Sequence, residues 1–417
     1  MTAPPWYRKR KYPHFDQPLS VAEALTYVTS PDKVARHNFF PFLAYELRKR
    51  RYKAKNSKGV ASVKSRPIRI AAHRDGYIFS YYAWLLSRAY DQTIKGTPID
   101  KCVLAYRKGK GSNIEFARKA FSEVERRRDC VAIAMDLKNF FDSIDHAILK
   151  QQWCRVLGTL RLPDDHFALF RAMTRYAHVS RDACYGALGI EETERAPRPL
   201  CDPMTFRSVI RGGGLIEINR DDYGIPQGSP ISAVLSNIYM IPFDQEMAKL
   251  AADVGGYYRR YCDDILWIVP LGCGERITKR TEDAVGRHGT HLKVNGEKTV
   301  ISYFSDGEIT SGPVLQYLGF TFDGKVWRIR SQTLSKFWRK VVYGVRAAKK
   351  RAAKAARNGG DGRLYKRKIY RRFTHLGKSN FLTYARRAWS GPGGKGVRSQ
   401  LRRHWERLQE EINRPPR

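Results

Sequence analysis

Tyr257-Tyr258-Arg259-Arg260-Tyr261-Cys262-Asp263-Asp264-Ile265-Leu266-Trp267-Ile268-Val269 reads as two strand-like runs joined at a pair of aspartates. Aromatic and β-branched residues on both sides of a short polar break spell a β-hairpin, here with acid at its tip. Adjacent carboxylates repel one another and are costly to desolvate together, so a pair held between apolar strands calls for a cation. Taken alone, Asp-Asp is also an ordinary polar turn, and its surroundings have to decide.

Upstream, Cys130 to Ala134 reads as a buried strand running into Met135-Asp136-Leu137-Lys138-Asn139-Phe140-Phe141-Asp142-Ser143-Ile144-Asp145-His146, which places Asp136 at the strand's C-terminal mouth. Asn139 to Trp153 is expected to be helical, with Asp142 and Asp145 in its first turns as structural acids facing the helix dipole. Between the two acidic segments, Gly224-Ile225-Pro226-Gln227-Gly228-Ser229-Pro230 is a Gly/Pro turn running into a helix expected over Ser232 to Leu250. Such a turn brings backbone close to a flat or anionic ligand.

Together these segments resemble the reverse transcriptases: a strand-borne Asp in a D-x-x-x-F-F-D setting, then P-Q-G-S-P, then Y-x-D-D, in that order, with likeness running from about residue 60 to residue 325. The resemblance implies an α+β right-hand polymerase, with an N-terminal segment and fingers over 1–125, a palm over 126–325 and a basic helical thumb over 326–417. The palm would carry an insertion at 181–222, a weakly periodic stretch read as a loop, and the catalytic hairpin at 257–269.

It further implies that Asp136, Asp263 and Asp264 are the catalytic carboxylates, holding two Mg²⁺ ions with help from the Leu137 carbonyl. Hard cations take oxygen ligands, and two of them suffice to activate a primer hydroxyl and stabilise the phosphoryl group under attack. Phe141 matches the family's steric gate against a ribose 2′-hydroxyl, and Gln227 the glutamine beside the incoming nucleotide. Lys64 and Arg66, in Lys64-Ser65-Arg66-Pro67-Ile68-Arg69-Ile70, match the fingers segment that grips the triphosphate, with Ala71 where the family has proline. Arg107, Lys108 and Lys110, in a Gly-rich stretch that lacks the Walker spacing, are expected to touch template. Lys298 is the candidate general acid, and Leu315 to Phe320, with Tyr317 and Gly319, the primer grip.

Composition agrees with a polyanionic partner. The 417 residues carry 77 Lys+Arg against 40 Asp+Glu, a net charge of +37, and 42% hydrophobic content excludes a wholly disordered chain. The excess is uneven: residues 325–417 hold 28 Lys+Arg and 4 Asp+Glu, or +24. Within them Arg367, Arg371, Arg372 and Lys378 are expected to pair nucleic-acid phosphates, while the interleaved aromatics pack inside. Helices are expected over Ser331 to Arg357, within Tyr365 to Trp389, and after the Gly-Pro-Gly-Gly turn at 391–394.

No apolar run is long enough to span a bilayer, and the seven scattered cysteines show no ligand spacing, so a cytoplasmic location with reduced packing thiols is expected. Among reverse transcriptases, no integrase, ribonuclease H or His-Asn-His pattern follows residue 325, and the N-A-x-x-H and V-T-G strings of the retron branch are absent. The remaining resemblance, through Arg371 to Phe381, is to compact defence-associated bacterial enzymes. That implies a structured non-coding RNA template, deoxynucleoside triphosphates, a cDNA product and no membrane partner. Rival readings are a retron-like or mobile-element enzyme, an RNA polymerase of the same fold, which Phe141 disfavours, and a catalytically idle RNA-binding relic.

Overall fold

The strand Cys130–Lys138 is the axis of the molecule. Side chains alternate across a strand, and Val131, Ile133, Met135 and Leu137 enter one apolar cluster while Cys130 and Ala132 enter another. The neighbouring strand Asp264–Val269 divides the same way, with Ile265, Trp267 and Val269 on the first side and Leu266 and Ile268 on the second. Both strands are almost wholly apolar because both faces of the sheet are covered. The computed structural model describes residues 2–51, 62–191, 196, 198–391 and 393–415.

The sheet runs Glu308–Ser311, Val300–Ser305, Cys130–Lys138, Asp264–Val269, Tyr257–Tyr261, all antiparallel neighbours, and Lys293–Val294 also pairs with the end of Cys130–Lys138. On its first face lie the helices His73–Ile94, His146–Leu157, Ser232–Tyr239, Ile241–Asp253 and Gly274–His288. On its second face lie the helix Asn113–Arg127, a small sheet of Leu315–Tyr317, Phe320–Phe322 and Trp327–Ile329, and the C-terminal helices. This is the α+β class expected: an antiparallel sheet whose acidic hairpin lies beside a second acid-bearing strand.

A second sheet is built from Pro67–Ile70, Phe42–Glu46, Ala177–Ser180 and Ile216–Ile218. Its last strand comes from the stretch expected to be a loop. Residues 181–222 instead contribute helix Arg181–Ala187, a π-helical turn Phe206–Arg211 and that edge strand, packed on Phe15 and Leu43 through Cys184, Leu200, Phe206 and Ile210. The π-helical turn breaks the 3.6-residue period, so no helical pattern shows in the sequence.

Two expected helices are interrupted. Asn139 to Trp153 opens as a 3₁₀ turn, Phe140–Ser143, and the α-helix begins at His146 with the Asp145 carboxylate accepting from the Ile148 N–H at 2.9 Å. Asp145 is therefore a cap, as a structural acid should be. Ser232 to Leu250 divides at Met240, where Pro242 cannot donate to the preceding turn. The expected basic helices form as Ser331–Arg357, Lys366–Phe373, Phe381–Trp389, Lys395–Gln400 and His404–Asn413. All seven cysteines are free thiols and four are buried. No helix among the described residues is long and apolar enough to cross a membrane.

Candidate active site

Strand alternation decides where the acids point. Asp136 follows Cys130 and Ala132 by even steps and Asp264 precedes Leu266 and Ile268 by even steps, so both carboxylates stand on the sheet's second face. They are also directly opposite each other in the antiparallel register. Asp263 occupies the turn between Tyr261 and Asp264, and its carbonyl accepts the Leu137 N–H at 3.0 Å, tying the hairpin tip to the acid-bearing strand. Leu137 itself is buried and pairs with Val294.

The turn is a demanding one. Cys262 has φ +60°, an uncommon conformation for a residue with a side chain. It is held from two sides: the Arg260 guanidinium donates to its carbonyl at 3.0 Å, and the Tyr106 hydroxyl donates to its sulfur at 3.3 Å. Arg260 is wholly buried and paired through two nitrogens with Asp244, at 2.8 and 2.6 Å, on helix Ile241–Asp253.

Asp136, Asp264 and Lys298 line one cavity of about 550 Å³ with Gln316, Tyr317, Leu318, Gly319 and Arg330. Lys298 extends from a 3₁₀ turn, Gly296–Lys298, and its ammonium contacts the Asp136 carboxylate. The Asn295 amide donates to the same carboxylate oxygen at 3.4 Å. Burial, then the charges of Asp263 and Asp136, push the Asp264 carboxyl up to about 7, partly offset by Arg330 and Lys298. Leu318 and Gly319, at φ +46° and +92°, form the tight turn expected between Leu315–Tyr317 and Phe320–Phe322. The Tyr317 ring is buried beneath it.

Among the described residues no three His, Cys, Asp or Glu side chains are already gathered around one point as a metal site. The donor chemistry nevertheless fits a hard divalent cation. The acids are oxygen donors, an ammonium already stands at Asp136, and the repulsion that raises Asp264 is what added positive charge relieves.

The P-Q-G-S-P turn docks on strand Pro67–Ile70, where the Arg69 N–H donates to the Gln227 carbonyl at 2.8 Å. Gly228, at φ +115°, passes so close that an added Cβ would lie 2.9 Å from the Arg69 carbonyl oxygen. The Ser232 hydroxyl closes the turn on the Pro226 carbonyl at 2.6 Å. Phe140 is buried and Phe141 half-buried, and the Phe141 carbonyl accepts from the Ile225 N–H at 2.9 Å, so the Phe141 backbone is joined to the turn.

Other expected residues lie elsewhere. Arg66 is exposed, its backbone paired with Leu47, whereas Arg69, which the motif did not single out, lies over the Tyr176 ring at 4.7 Å and 3.9 Å from Asp142. The Lys64 side chain lies outside the described residues. The template contact expected of Arg107 is closed to it: its guanidinium is buried and bonded to Asp91 and Asp100 at 2.7 and 2.6 Å. Desolvating an arginine requires such partners, and they occupy the donors that template would need. Lys108 is exposed, and Lys110 bonds Asp100 at 2.8 Å. Arg367, Arg371, Arg372 and Lys378 are all exposed. Arg330 carries no motif signal, since it enters the site through tertiary packing, whereas Asn295 and Gln316 lie inside the stretches around Lys298 and Tyr317 without being singled out.

No protein-family model matches the chain. Over 135 residues it is 29% identical to the retron Mx162 reverse transcriptase of Myxococcus xanthus, a match covering 32% of this chain and 21% of that protein. The chain is similar to a bacterial reverse transcriptase. Among solved structures, it is similar to apo telomerase from Candida tropicalis truncated from its C-terminal domain, with TM-score 0.46 and 12% identity over 73% of this chain and 59% of that one. A further likeness is to Candida albicans telomerase in complex with a fragment of telomeric RNA, with TM-score 0.42 and 11% identity over 94% of this chain and 60% of that one.

Proposed function

We propose that the chain is an RNA-directed DNA polymerase that extends a primer by nucleotidyl transfer in a right hand of fingers (1–125), palm (126–325) and thumb (326–417). The observation that carries this reading is the register pairing of Asp136 with Asp264 on one sheet face, in a cavity shared with Lys298 and the Leu318-Gly319 turn.

Asp136, Asp263 and Asp264 would hold two Mg²⁺ ions, with the Leu137 carbonyl; bound there, the ions supply Lewis-acid activation and neutralise phosphate charge. The chain's own residues do the rest. The Leu318-Gly319 turn supports the primer terminus against the acids. Phe141, fixed through Ile225, narrows the space at the nucleotide's sugar, and Gln227 borders the nucleotide. Lys298 places a proton within reach of the phosphate leaving group. Arg66 and Lys64 stand on the fingers side for the triphosphate, Lys108 and Lys110 for the template.

We assign the template to a structured non-coding RNA encoded near the gene, the product to cDNA, and the setting to antiviral defence in the bacterial cytoplasm, on the resemblance through Arg371 to Phe381. The Myxococcus relative favours a retron-like enzyme as the second reading, and the sequence flanking the gene separates the two. Primer extension on RNA with deoxynucleotides and Mg²⁺ tests the activity. Asp263→Asn and Asp264→Asn should each abolish incorporation while RNA binding survives; extension by either variant at near wild-type rate would show the assignment wrong. Sequencing the nucleic acid that copurifies with the chain identifies the template.

A further inference from the structure

A second cleft, of about 220 Å³, opens in the basic C-terminal region and shares no residue with the cavity of Asp136 and Asp264. Its apolar walls are Leu382 and Trp389 of helix Phe381–Trp389, Leu401, and Trp405 of helix His404–Asn413. Trp405 lies against the Tyr370 ring, with centroids 5.5 Å apart, and is still 47% exposed. A large indole left open to water beside an apolar cleft is surface that a ligand would cover.

The polar groups define the kind of ligand. His375, Arg386 and Arg402 stand exposed around the cleft, and none of them makes an ion pair among the described residues. Among those residues no Asp or Glu lines it, and neighbouring Glu406 is paired with Arg403 at 3.0 Å. His404, which also lines the cleft, is buried, and its Nε2 donates to the Phe373 carbonyl at 2.7 Å. A carbonyl only accepts, so the hydrogen is on Nε2, and Nδ1 is left a buried acceptor with no partner. Flat aromatic surface, unpaired cations and an unmet acceptor match a ligand with a ring face, anionic oxygens and N–H donors. An unpaired nucleotide within a strand has all three. The volume lies below the ~300 Å³ at which pockets for drug-sized ligands begin, so there is room for one base and not for a stacked run. The cations come from three separate segments, which suits a backbone crossing the cleft better than a single terminal phosphate.

We propose that this cleft captures one unpaired base of the template RNA, stacked on Trp405, with the flanking phosphates held by Arg386 and Arg402. The proposal rests on the reading of the template as a structured RNA and adds to it a recognition site outside the cavity of the acids.

The test is binding of the full chain to two RNA hairpins with the same stem, one with an all-adenosine loop and one whose loop nucleotides are abasic. Salt is set high enough to weaken binding to phosphates alone. Wild type should favour the adenosine loop by about 5- to 150-fold, the range for stacking one base on an aromatic ring. Trp405→Ala should bind both hairpins as wild type binds the abasic one, whereas Trp405→Phe should keep most of the preference. Arg402→Ala should instead weaken both hairpins and lower the slope of log K against log salt by about 0.7–0.9. Because the readout is a ratio between two hairpins, a general loss of fold weakens both alike and does not imitate lost stacking. Wild type indifferent to the loop, or Trp405→Ala that still prefers adenosine, overturns the capture site and leaves the polymerase reading standing. A wild type that prefers the adenosine loop but extends no primer upholds the site and overturns that reading instead.

Discussion

Asp264 sits where burial and two neighbouring carboxylates all oppose its ionisation. Its folded-state value, about 7, lies above the ordinary 3.8, so between those values the folded chain binds more protons than the unfolded one. Stability from this group therefore falls as pH rises through that window and levels off above it. Asp264→Asn removes the term. In metal-free buffer it should raise Tm relative to wild type by more at about pH 8 than at about pH 5; equal differences at both would show that the carboxylate is not under that repulsion. Phe141 makes a second prediction at this scale. Phe141→Ala should raise the ratio of ribo- to deoxynucleotide incorporation on the order of 10- to 100-fold by opening space for a 2′-hydroxyl, and an unchanged ratio would leave Phe141 a packing residue. The juxtaposition of Asp136 and Asp264 was legible because each acid stands at the end of a local apolar strand pattern, and the two strands then pair in register. The positions of Arg330 and Arg69 were not, because packing sets each of them, and no local pattern marks one arginine among many.

The acidic hairpin depends on an ion pair that it shares with a helix. Arg260 on the first strand and Asp244 on helix Ile241–Asp253 are both fully buried, and Asp244 also accepts the Tyr258 hydroxyl at 2.7 Å. Asp244→Ala would leave a guanidinium uncompensated in the core, a loss of about 3–5 kcal/mol. A urea titration should show that loss in the unfolding midpoint, and replacing both partners by apolar residues of similar volume should recover most of it. A shift under about 1 kcal/mol would mean that water reaches Arg260. Sequence pattern gave the hairpin itself, since its apolar alternation is local. It missed the breaks at Met240 and at Phe140–Ser143, where apolar residues continue through the interruption, and it missed the edge strand Ile216–Ile218, which forms only because Ala177–Ser180 offers it a partner.

One apolar cluster joins the acid-bearing sheet to the basic C-terminal helices. Phe337, Val341, Phe373 and Leu408 of the C-terminal helices are continuous with Ala132 and Leu266 of the acid-bearing face and with Phe320 of the small sheet that covers it. The basic region is thereby docked against the sheet, while its charge stays outward. Helices Ser331–Arg357 and Lys366–Phe373 enclose a groove of about 450 Å³ whose walls include Arg351, Arg363, Arg367 and Arg372, with Tyr365 at its rim. Phe373 is buried and Tyr370, Phe381, Tyr384 and Trp389 are partly buried, but Tyr365 is exposed, so the division expected from the sequence holds except at Tyr365. Neutralising Arg367, Arg371, Arg372 and Lys378 together should therefore weaken nucleic-acid binding without touching the acids. Each phosphate contact contributes about 0.7–0.9 to the slope of log K against log salt, so the quadruple variant should flatten that slope by up to roughly 3. Processivity should fall as dissociation overtakes addition, and single-nucleotide incorporation at saturating template should be nearly retained. A salt titration of template binding comparing the variant with wild type decides it. Identical slopes would mean that these four side chains face solvent or a protein partner, and that the +24 of the C-terminal region reaches nucleic acid through other residues, with the Arg351–Arg363 wall of the groove next to be tested.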